Sequence, residues 1–146
     1  MKRIWALTAI IGLILFSTST ATAQDARVFE NALDFSGPLD TEVARITGLL
    51  EEGGFQVIAS RDASVPGECS YDATVISVYD AAFSDAAFAL NADTAPYGIV
   101  NRVVVFQDED GGHVAYTNPN SILRTVFVDD SAANGATETH RAKLRD

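Results

Sequence analysis

One cysteine, two histidines and ten basic residues against twenty acidic ones are all that 146 residues offer in those classes, and each shortage excludes something. A single cysteine, Cys69, cannot close an internal disulfide, so the fold rests on its apolar core. It has no C-x-x-C companion, and an inert thiol at a strand entrance is its default role. With a redox or partner-linking thiol as the other role, Cys69 is the candidate redox residue. Two histidines, His113 and His140, leave few bases for a serine, cysteine or threonine nucleophile. No catalytic set is recognisable, and no cofactor motif appears. The net charge of −10 repels phosphate backbones and anionic headgroups, which excludes nucleic acid and membrane surfaces as natural partners.

What is present begins with a leader. Residues 1–23, MKRIWALTAIIGLILFSTSTATA, carry Lys2 and Arg3, an apolar stretch from Ile4 to Phe16, and small residues ending in Ala21-Thr22-Ala23. This is the pattern of a secretory signal peptide cleaved before Gln24. The apolar stretch is shorter than the roughly 20 residues that span a bilayer. The expected product is an exported protein, periplasmic or secreted, free of the membrane after cleavage. It retains 8 basic and 20 acidic residues and a net charge of −12.

Residues 24–128 are enough for one domain with one core. Its centre is Arg102 to Pro119, RVVVFQDEDGGHVAYTNP. Two apolar runs flank an acidic glycine turn, which predicts a β-hairpin at the middle of a sheet. The first run is apolar on both faces, as expected of a strand covered on both sides. Asn118-Pro119 predicts a helix cap and first turn.

Upstream, Arg27 to Phe35 predicts a strand with Phe29, Asn31, Leu33 and Phe35 on one face. Pro38 opens a helix in which Val43, Ile46 and Leu50 share a face while Glu42, Arg45, Glu51 and Glu52 look outward. Gly53-Gly54 closes that helix. Phe55 to Ser60 and Asp72 to Tyr79 predict two more strands around a Pro66-Gly67 loop. Asp80 caps an alanine-rich helix ending near Leu90, and Pro119 to Phe127 gives a last short helix. Residues 129–146 are polar and predict a flexible tail with at most a weak helix near its end, which places His140 in that tail. The expected order is β-α-β-β-α-β-β-α. The fold class is therefore α+β: a two-layer domain with a mainly antiparallel sheet packed by helices.

Val43 to Ile58, VARITGLLEEGGFQVI, resembles the helix-Gly-Phe-strand opening of the domain-of-unknown-function 302 (DUF302) family, and Val103 to Pro119 resembles its closing hairpin and Asn-Pro. The resemblance covers Val28 to Phe127. It implies a compact domain similar to the TATA-binding-protein-like fold, in architecture and not in DNA binding. It implies no activity. The chain departs from the family at Val78-Tyr79-Asp80-Ala81, where members often carry phenylalanine or cysteine, a small residue and Asn-Pro.

The candidate ligand-binding residues are Tyr79, Asp80 and Tyr97. Tyrosines at strand ends offer an apolar ring and a polar tip to a small molecule or peptide; alternatively they close the rim of the core. The turn Asp108 to Gly111 lacks the spacing of a calcium loop, and Cys69 with His113 or Asp72 makes no defined metal set. The expected function is non-enzymatic binding of a small molecule or a protein partner, with a Cys69-dependent redox or metal-associated role as the alternative. Self-association through an exposed strand edge is a further possibility.

Overall fold

A computed structural model describes residues 27–128 and 130–146. The expected signal peptide lies outside the described residues. Five strands form one antiparallel sheet in the order β1-β5-β4-β3-β2. They are β1 Phe29–Phe35, β2 Gln56–Asp62, β3 Asp72–Tyr79, β4 Val100–Asp108 and β5 Gly111–Thr117. The helices are α1 Leu39–Glu52, α2 Ala81–Leu90, α3 Pro119–Val126 and α4 Asn134–Arg145. The predicted hairpin is β4–β5, turning at Glu109-Asp110, and β4 is the middle strand.

The inner face of the sheet carries the main core. Ile76 and Val78 of β3, Val103 and Val105 of β4, and Val114 and Tyr116 of β5 pack against Ile46 and Leu50 of α1 and against Phe55. Alternation along each strand delivers these residues to one side. Gly54, at φ +81°, adopts the left-handed conformation that lets the chain leave α1 and enter β2 almost at once. A second cluster lies among the helices, with Phe83 and Ala87 of α2, Ile122 of α3, Phe127 and Ala133 in contact.

Three expectations are corrected here. Covering on both sides of the hairpin's first arm does not hold, because the outer sheet face is only partly shielded. Val104 and Phe106 are half-buried there, and Tyr71 and Phe29 remain exposed. The first strand does not keep its odd-numbered residues on one face, because a bulge falls between Asn31 and Leu33. Asn31 pairs with Ala115 on the outer face, whereas Leu33 pairs with inner Val114, and Phe35 with Gly112. An extra residue reverses the side-chain phase beyond it. Glu42 does not look outward; it lies buried beneath Arg45, whose Nε donates to its Oε2 at 2.9 Å.

The polar tail is also a correction. Residues 134–145 form α4, with Thr137 and His140 buried. The low apolar content that predicted disorder is compensated by ion pairs to the rest of the domain, described below.

Asn118 joins both ends of the fold. Its side chain accepts from Asn120 N at 2.9 Å, capping α3, and donates to Arg27 O at 2.8 Å, pinning the start of β1. It is fully buried. Asn118→Ala removes the cap of α3 and the hydrogen bond that pins the start of β1, so denaturant unfolding should show a loss of about 2 kcal/mol.

Candidate functional site

α4 organises the polar chemistry of this protein, although its sequence reads as tail. On one flank, Arg141 meets Glu30 of β1. Its Nε lies 3.0 Å from Oε1 and 3.2 Å from Oε2, and the better aligned donation is to Oε2. Tyr116 of β5 donates its hydroxyl to the same Oε2 at 2.9 Å. Glu30 faces Tyr116 in register, one residue before the bulge begins. Burial together with the Glu30 carboxylate pushes the Tyr116 phenol up to about 12.

On the other flank, Asp80 holds two residues of α4. Its Oδ2 lies 3.2 Å from His140 Nδ1, and its Oδ1 lies 3.0 Å from Lys143 Nζ. The same Oδ1 accepts from Ala82 N at 3.2 Å and so caps α2, as the sequence predicts. Burial raises the Asp80 carboxyl, but hydrogen bonds from Lys143 and His140 outweigh it and hold the group below its ordinary value. His140 is only 1 % exposed. Its ring stacks on Phe83 at 4.2 Å and meets Phe55 edge-on at 5.9 Å. Lys143 also lies 4.4 Å from the centre of the Phe55 ring.

Among the described residues, two cavities border α4 and share Lys143. The first, about 270 Å³, is a cleft between β1, α1 and the end of α4. Core residues Ile46, Leu50, Val103, Val114 and Tyr116 form its floor, Leu33 and Leu49 line its exposed side, and Lys143 to Asp146 make one wall. The bulge in β1 is what turns both Ala32 and Leu33 toward it. The second, about 390 Å³, lies between α2 and α4 and is bordered by Asp80, Phe83, Ala86, Ala136 and His140.

The residues singled out from sequence are scattered. Asp80 borders the second cavity, but Tyr79 and Tyr97 line neither. Tyr97 stands 83 % exposed on a 3-10 turn, Ala95–Tyr97. Cys69 is exposed, in a hollow of about 450 Å³ with Pro66, Ser70, Tyr71, Asp72 and Gln107. The residues around that hollow include no basic side chain of the kind that activates a thiol. His113 sits on the hairpin, with Nδ1 2.7 Å from Asp34 Oδ1, and that hydrogen bond raises its pKa. Among the described residues no group of three or more histidine, cysteine, aspartate or glutamate side chains is placed to hold a metal ion.

His140, Lys143, Glu30 and Arg141 are the functional candidates that sequence reasoning missed. The spacing of His140, Arg141 and Lys143 puts three basic side chains within one helical turn, but their carboxylate partners, Asp80 and Glu30, lie far away in sequence. Low apolar content hid the helix itself.

No family model and no curated protein matches the chain. A solved structure does: the crystal structure of an uncharacterized conserved DUF302 protein from Bacillus stearothermophilus. It covers 80 % of this chain and 92 % of its own, with a TM-score of 0.69 at 14 % sequence identity. The chain has the DUF302 fold. At that identity the DUF302 likeness is one of architecture, and it bears out the α+β class read from the sequence.

The Glu30 clasp has a spectroscopic signature. Tyr116 should ionise near pH 12. Ultraviolet titration of the Tyr116→Phe variant should lose that step, and thermal unfolding should shift down by about 1 kcal/mol equivalent.

Proposed function

We propose that this chain is an exported, non-enzymatic binding domain that holds a small, mostly apolar molecule in the cleft between β1, α1 and the end of α4. The observation that carries the reading is the cleft itself. It opens onto the main core, so its floor is already apolar, and its rim leaves Leu49 48 % exposed. An apolar floor joined by a few polar groups is the usual form of a small-ligand site. Pockets for drug-sized ligands run from about 300 to 1,000 Å³; a cleft of about 270 Å³ suits a smaller occupant.

The polar end of that occupant faces the wall of Lys143, Arg145 and Asp146. Tyr116 contributes its ring, since its hydroxyl is engaged by Glu30. The leader pattern of residues 1–23 supports export. Export also fits a domain whose acidic surface keeps it soluble and away from anionic headgroups.

Titration with the neutral apolar dye N-phenyl-1-naphthylamine tests the site. Binding should raise its fluorescence, and Leu49→Glu, which puts a charge on an already exposed rim position, should weaken binding about tenfold, or 1.4 kcal/mol. Tyr97→Ala should leave the affinity unchanged. Absence of dye binding, or indifference to Leu49→Glu, rejects the cleft.

A further inference from the structure

One wall of the cleft is the end of α4, and α4 is held down beside it by a buried, charge-balanced cluster. We infer that α4 is a proton-operated latch: protonation of His140 releases the helix from Asp80 and opens the cleft, so that the ligand is held near neutrality and let go in mildly acidic surroundings. The inference rests on the cleft reading above and concerns its regulation.

The geometry favours neutral His140. With Nδ1 3.2 Å from the Asp80 carboxylate, the ring donates Nδ1–H and leaves Nε2 as the lone-pair nitrogen. That Nε2 is buried and has no hydrogen-bond partner among the described residues. A lone pair without a partner is tolerable there. An added proton is less so, because it becomes a buried donor facing no acceptor. Phe83 and Phe55 pack the ring on two sides and offer no acceptor.

The charged groups facing His140 are Asp80, from the cap of α2, and Lys143, one turn further along α4. Lys143 already matches the Asp80 charge at 3.0 Å, so an imidazolium would add a second cation to a neutral pair. Burial lowers the His140 pKa from its ordinary 6.5; the Asp80 hydrogen bond works against this, and Lys143 adds to the lowering. The released state therefore binds more protons than the latched one. Latching is complete above about pH 6.5 and weakens as pH falls through the lower value of the folded state. Asp80, held below its ordinary 3.8, remains a carboxylate throughout that window.

Release reaches the cleft because Lys143 belongs to both the cluster and the wall, followed at once by Leu144, Arg145 and Asp146. Lys143 also donates to Gly54 O at 3.5 Å, at the corner where α1 gives way to β2. Arg141, bound to Glu30, remains as a second tether on the far flank.

The test is dye affinity from about pH 8 to about pH 5 for the full chain and for His140→Phe, whose ring keeps the stacking and cannot take up a proton. N-phenyl-1-naphthylamine is uncharged over that range, so its own titration does not intrude. The wild-type affinity should fall about tenfold or more, and that of His140→Phe should stay flat. Parallel loss in both proteins overturns the latch. Amide hydrogen exchange of α4, followed with the His140 ring titration by NMR, reads the latch without any ligand and without the variant. Protection of α4 should fall as His140 protonates, and titration with unchanged protection overturns the proposal. If dye fails to bind at every pH while α4 protection still follows His140, the cleft reading fails and the latch stands.

Discussion

Asp80 is the side chain on which most of this structure turns. One carboxylate, directly after β3, caps α2 through Ala82 N and receives His140 and Lys143 from α4. A buried carboxylate is costly unless its lone pairs are met, and here a backbone N–H, an imidazole and an ammonium meet them. Removing Lys143 would leave an unbalanced carboxylate in a poorly solvated place, whereas the neutral imidazole and the backbone N–H each satisfy a lone pair. The cluster ties the last helix to α2 and the end of β3, on the flank opposite the Arg141–Glu30 pair.

The same helix shows how a polar segment joins a core. α4 contributes Leu144 to the main apolar cluster and Ala136 to the second, but ion pairs fix it on both flanks. Arg141 reaches Glu30 on the edge strand, and Tyr116 shares that carboxylate from the neighbouring strand. Burial, charge and hydrogen bonding thus converge on elements far apart in sequence. A cleft walled by such a helix can respond to proton concentration in a way that a cleft walled by apolar packing cannot.

The outer face of the sheet follows a different logic. Phe106 is covered by Tyr71 and by His113, with ring centres 5.6 and 5.1 Å away, and the rest of the face is open in part. The apolar run at Val103 to Phe106 suggested cover on both sides. Cover by a few aromatic side chains and cover by a helix demand the same residue types, so composition could not separate them.

By itself the sequence determined the strands, α1 to α3, the hairpin, the Asp80 and Asn118 caps and the α+β class. All of these rest on local physics: alternation, helical periodicity, glycine at positive φ and side chains that cap within a few residues. Only the tertiary structure decided the phase reversal in β1, the burial of His140, the order of α4 and the cleft they frame. A bulge depends on the partner strand, and a histidine's burial depends on a carboxylate sixty residues away. Nothing within a local window carries that information. Of the residues singled out from sequence, Cys69, Tyr79 and Tyr97 lie apart from the cluster, whereas Asp80 is its centre and meets partners some sixty residues away.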